Sequence, residues 1–168
     1  MTPAGINVVL CNIPSADRLA LSMGPHCGVL GYSLPLSLHR VPPKTVLVLR
    51  PTLKDTLLDD RASIIESSVI ECSKRAIFVV LCTTPRFGAG ARASKTVTSS
   101  NLRCMEIAAR VNVGLLDLDL VVSHQGGRCF RGETDELSDT GIAAVVDAFQ
   151  GAFEEFSRRI PQENEVGG

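Results

Sequence analysis

Ala76-Ile77-Phe78-Val79-Val80-Leu81-Cys82-Thr83-Thr84-Pro85 is an apolar run of strand length that ends at a proline. No polar residue interrupts it before Thr83. A strand with one wet face would alternate; a continuous run suits a strand covered on both faces. Proline cannot donate to a ladder, so the strand stops before Pro85.

Working outward, the same grammar recurs. Lys44-Thr45 leads into Val46–Leu49, which is stopped by Pro51. Ile6–Leu10 is a third run, and Val113–Leu118 opens a fourth that extends to Val122 with Asp117 and Asp119 inside it. Residues 22–43 are rich in Gly, Pro, Ser and Leu, and hold a short strand near Val29-Leu30. Helical spacing fills the gaps. Asp59-Asp60 start a helix to about Arg75, with Ile65, Val69 and Cys72 on one face and Lys74-Arg75 at the end that favours cations. Ser99-Ser100 start another, carrying Leu102, Met105 and Ala109. Ser138-Asp139 start the last, with Ile142, Val145, Phe149, Phe153 and Phe156 three or four residues apart. Strands alternating with helices require crossover connections. The expected fold class is therefore α/β, a three-layer sandwich around a doubly wound, mostly parallel sheet of four or five strands. Residues 1–160 are expected to form a single domain and residues 161–168 a flexible C-terminal tail.

Composition narrows the function classes. The 168 residues carry 17 Lys+Arg against 18 Asp+Glu, a net charge of −1, so no general attraction to nucleic acid or anionic membrane is expected. No apolar run reaches the ~20 residues of a membrane helix, and no basic region precedes an apolar stretch at the start. A cytoplasmic protein is expected. Cys11, Cys27, Cys72, Cys82, Cys104 and Cys129 form no Cys-x-x-Cys pair and no zinc spacing. They read as reduced, core-filling thiols, with no metal or cofactor expected.

In doubly wound sheets the working residues lie on loops at the carboxyl ends of strands. Those loops, over residues 6–156, resemble the SGNH/GDSL hydrolases, whose fold is flavodoxin-like. Ala76–Pro85 resembles that family's fourth strand and its proline exit, Asn101–Val111 the following helix, and Val113–Leu118 the fifth strand. Glu133-Thr-Asp-Glu136-Leu137-Ser138-Asp139-Thr140-Gly141 resembles the Asp-x-x-His segment, with Glu133 at the Asp position and Glu136 at the His position. Leu137-Ser138 is also similar to esterase modules of LINE-type retrotransposons. The earlier blocks depart from the pattern. Cys11-Asn12-Ile13-Pro14-Ser15 stands in place of Gly-Asp-Ser, leaving Ser15 as the serine near that turn. Arg50-Pro51-Thr52-Leu53-Lys54-Asp55 stands in place of Gly-x-Asn-Asp, with Asp55 echoing the block's last residue. Gly28 or Gly31 takes the place of the oxyanion glycine. The resemblance thus implies catalytic positions at Ser15, Glu136 and Glu133, all remnants.

A serine hydroxyl is a poor nucleophile until a base takes its proton, and histidine does so near neutral pH. Glutamate is normally ionised and a weaker base. The missing Asn removes an oxyanion donor, worth about 3 kcal/mol of barrier in comparable sites. Each residue also has a plainer reading. Ser15 and Ser138 are N-caps, Glu133 and Glu136 a solvated acidic loop, and His124 an exposed loop residue rather than a substitute base. Gly88-Ala-Gly90-Ala-Arg92-Ala93 fits G-x-G-x-x-A but lies too far past its strand for a dinucleotide fingerprint. That loop carries Arg86, Arg92 and Lys95, a basic cluster suited to phosphate or RNA contact. The expected function is a catalytically degenerate SGNH-like domain that binds a protein or RNA partner. The alternative is an active divergent esterase, an acetyl-ester hydrolase acting on a small ester through Ser15.

Overall fold

The structure is a computed structural model that describes residues 6–86, 91–125, 128–132 and 134–166; of residues 91–94, 156, 157 and 159–166 it describes only the backbone. The elements run β1 (Asn7–Cys11), α1 (Ala16–Met23), β2 (Cys27–Leu30), β3 (Thr45–Leu49), α2 (Leu53–Leu57), α3 (Asp59–Lys74), β4 (Phe78–Cys82), α4 (Ala91–Val111), β5 (Gly114–Leu116), α5 (Leu118–Ser123) and α6 (Asp139–Val166). The five strands form one sheet in the order β2-β1-β3-β4-β5. All four ladders are parallel.

The continuous apolar runs do what the sequence required of them. Every residue of β3 is buried. Val46 and Val48 join the core shared with Leu19, Val145, Phe149 and Phe153. Leu47 and Leu49 join the opposite core, with Ile65, Val69 and Ile107. Alternate side chains of one strand thus feed two helical layers, which makes the three-layer sandwich. Phe149 and Phe153 stack on the inner face of α6 with ring centroids 5.9 Å apart. The side chain of Phe156 lies outside the described residues.

Three boundaries differ from expectation. The run Val113–Leu118 is a strand only over Gly114–Leu116, and the chain then turns into α5. Asp117 causes the change: its carboxylate accepts from the Leu120 amide and caps that helix. Helix α4 starts at Ala91, well before Ser99, so Arg92 and Lys95 belong to a helix rather than a loop. The backbone expected to form a tail from residue 161 continues α6 to Val166.

Gly141, in the first turn of α6, has the tightest surroundings of the described glycines. A Cβ added there would lie 2.1 Å from the carbonyl oxygen of Cys129. That carbonyl accepts from the Ser138 amide at 2.7 Å, and the Ser138 hydroxyl accepts from the Gly141 amide at 3.1 Å. Ser138 is thus a working cap, and glycine lets the loop before α6 close onto the helix.

Candidate functional site

Strand order reverses between β1 and β3, and in open α/β sheets the carboxyl ends at such a reversal are where a ligand crevice forms. The first residue past β3 is Arg50 and the first past β1 is Asn12. The two grip each other. Asn12 Nδ2 donates to the Arg50 carbonyl at 2.7 Å, and Arg50 Nε donates to the Asn12 carbonyl at 2.7 Å. Arg50 Nη2 reaches Asn12 Oδ1 at 3.4 Å, and Nη1 reaches Thr84 Oγ1, past the end of β4, at 3.3 Å. Asn12 turns the chain with φ 58°, a left-handed conformation that asparagine tolerates well. Thr84 is held by the buried Asn101 amide, which accepts from the Thr84 N–H and donates to its carbonyl. Burial pulls Arg50 below its ordinary pKa, while Asp135 is among the groups acting the other way. Arginine remains a cation throughout.

Beside this clamp lies a second network. Asp55 is 6% exposed and accepts from the Tyr32 hydroxyl at 2.6 Å and from Arg61 Nε at 3.0 Å. Burial pushes the Asp55 carboxyl up, but hydrogen bonds from Tyr32, Arg61 and Thr52 outweigh it and hold the carboxyl below its usual range. Thr52 caps α2 through the Asp55 amide, so Thr52 and Asp55 are spent on structure. At the end of β4, Thr83 donates to Asp117 at 2.8 Å and accepts from the Asp119 amide.

The remnant positions come together only in part. Ser15 and Glu136 line one recess of about 400 Å³ with Ala16, Asp17, Arg18 and Asp135. No hydrogen bond joins the two among the described residues. Ser15 stands at the N-cap position of α1 with φ 53° and makes no side-chain cap. Its hydroxyl instead accepts from the Leu137 amide at 2.9 Å. Glu136 is half exposed and pairs with Arg131 at 3.2 Å, with Arg18 at 4.0 Å. Glu133 lies outside the described residues. His124 ends α5, exposed, with its amide on Leu120. Gly28 sits inside β2, in register with Val9, away from the carboxyl-end loops. Gly31 lies just past β2, where its carbonyl faces the Cys11 thiol. In the basic cluster, Arg86 is bound to Asp119 at 3.2 Å and to Thr98 at 2.6 Å. Lys95 is exposed, and the Arg92 side chain lies outside the described residues. Among the described residues no group of His, Cys, Asp and Glu is arranged to hold a metal ion.

No family model matches the chain, and no curated protein gives a significant match. Solved structures do. The chain is similar to the acetyl xylan esterase AlAXEase, with TM-score 0.66 and 16% identity over 86% of this chain and 98% of that one. A GDSL-like lipase from Bacteroides thetaiotaomicron VPI-5482 superposes with TM-score 0.66 and 12% identity, over 92% of both chains. The chain has the SGNH/GDSL hydrolase fold. A further GDSL-family lipolytic protein, from Veillonella parvula DSM 2008, matches this SGNH-like domain with TM-score 0.63 and 14% identity, over 92% of this chain and 100% of that one. No described helix of the domain is long and apolar enough to cross a membrane.

Asn12, Arg50, Thr84 and Asn101 were missed as site residues by the sequence reading. The one local signal is a charged residue directly after the apolar run Val46–Leu49, at Arg50.

Proposed function

We propose that this SGNH-like domain is a non-catalytic binding module. The observation that carries the reading is the separation of Ser15 from any base among the described residues: its hydroxyl accepts from the Leu137 amide while the Glu136 carboxylate is engaged by Arg131. A serine that is not hydrogen-bonded to a base stays protonated and unreactive. Two further features support the reading. β1 ends at Cys11, so a Gly-Asp-Ser turn on the strand end would fall on Cys11-Asn12-Ile13, and Ile13 is buried in the core. Arg50 and Asn12 bond each other across the β1 and β3 ends, where no serine–base pair is presented among the described residues. The pairing of Arg86 with Asp119 lowers its availability to phosphate and favours a protein partner over RNA. All six cysteines are free thiols, which suits a cytoplasmic setting.

The test is turnover of p-nitrophenyl acetate by purified protein beside Ser15→Ala. Both are expected to match the buffer background. Robust turnover abolished by Ser15→Ala would overturn the reading in favour of a divergent esterase.

A further inference from the structure

We propose that the Arg50 crevice is a receptor for an oxyanion, the carboxylate or phosphate group of a small ligand. The inference gives a ligand chemistry to the binding-module reading and rests on it.

Among the described residues four arginines are half-buried: Arg18, Arg50, Arg61 and Arg103. Three face a carboxylate at close range, Asp139 at 2.8 Å, Asp55 at 3.0 Å and Asp59 at 2.9 Å. Arg50 has no described carboxylate within ion-pair distance, and its hydrogen-bond partners among the described residues are neutral oxygens of Asn12 and Thr84. A half-buried charge met only by neutral acceptors is poorly compensated. Supplying an anion there is therefore worth more than at a solvated arginine.

The geometry fits that anion. Among the described residues three of the five guanidinium N–H groups find acceptors, one on each nitrogen, so each terminal nitrogen keeps one N–H for an oxyanion. The fork is held before any ligand arrives. Asn12 is pinned by its own amide to the Arg50 carbonyl, the Arg50 amide bonds the Cys11 carbonyl at 3.1 Å, and Thr84 is fixed by Asn101. The Thr84 hydroxyl, accepting from Arg50, keeps its own proton to donate. A receptor already in place loses little ordering entropy on binding. Its position at the reversal of strand order is where open α/β sheets take ligands. Asp135 is exposed, acts on Arg50 from beyond ion-pair distance and opposes the anion.

The experiment follows the Arg50 Nε–H signal in ¹⁵N spectra of the full chain. Sodium acetate and inorganic phosphate are titrated separately against chloride at matched ionic strength. A saturable shift with one or both anions is expected, and identifies carboxylate or phosphate as the preferred group. Arg86 should show no saturable shift. Arg50→Lys, which keeps the charge and loses the fork, should abolish saturation, and Asp135→Asn should tighten binding. Flat or equal linear drifts at Arg50 and Arg86 with both anions overturn the inference on the native protein alone. They leave the non-catalytic reading standing, whereas Ser15-dependent ester turnover in the same samples overturns that reading and leaves the titration intact.

Discussion

Two glycines in α6 should respond to alanine with opposite signs. At Gly141 a new Cβ would meet the Cys129 carbonyl oxygen at 2.1 Å and its carbon at 2.9 Å. Both atoms are backbone, so a rotamer change cannot relieve the clash, and the loop must lift by about an ångström. Overpacking of this kind costs about 1–3 kcal/mol, here at the upper end. The lift also stretches the 2.7 Å bond from the Ser138 amide to Cys129, for about 1 kcal/mol more. Alanine returns about 1 kcal/mol of helix propensity. The expected net loss for Gly141→Ala is about 3 kcal/mol. At Gly151 nothing lies within 4 Å of a Cβ, so Gly151→Ala should gain up to about 1 kcal/mol. Urea denaturation of both variants at unchanged m-value measures the pair. If Gly141→Ala is as stable as the parent, the close passage of the loop over α6 is wrong. The whole account of how that loop is seated then goes with it.

Phe149→Ala empties a fully buried site beside Phe153 and should cost about 3–5 kcal/mol in the same assay; a loss below about 1 kcal/mol would show α6 undocked. Asp55 has a lowered folded pKa, so its contribution is complete above the unfolded value near 3.9 and is lost as pH falls through the folded one. Stability below about pH 4 should therefore fall more steeply in the parent than in Asp55→Asn, and equal slopes would refute the Tyr32–Asp55–Arg61 network. Cys27 is the only cysteine not fully buried, and burial still raises its thiol to about 11. Iodoacetamide at pH 8 should label Cys27 first and slowly, with Cys11, Cys72, Cys82, Cys104 and Cys129 reacting only on unfolding. Mass spectrometry showing early label at Cys72 would contradict that.

The strands were legible because burial on both faces leaves an uninterrupted apolar run: β1 and β3 fall within a residue of their expected bounds and β4 within two. The run from Val113 misled for the opposite reason. Its apolar residues after Asp117 belong to a helix buried at Leu118 and Val122, and one side-chain bond to a backbone amide outweighed the strand propensity of two valines. Helix α4 starts before Ser99: Ser99-Ser100, a pair that reads as a helix start, lies inside the helix, where Ser100 is buried on Thr56. Asn12 and Arg50 were invisible as a pair. They are 38 residues apart, and no pattern along the chain announces that two strand ends will meet. Glu136 could be placed by spacing, but its partners Arg18 and Arg131 come from the fold.

The strand order has a consequence for how the molecule is born. β1 and β3 are adjacent in the sheet, yet no two neighbours in the sheet are joined by a hairpin. Each parallel ladder waits for a helix to cross and fold back, a non-local step that slows assembly. As the chain emerges from the ribosome, β1, β2 and β3 can pair long before Phe78–Cys82 has been made. Through that interval the growing sheet ends at Thr45–Leu49, a strand whose five residues are all buried in the finished molecule. An open apolar edge of that kind invites other chains. The nascent domain thus passes through a stage in which its most buried strand is its frontier.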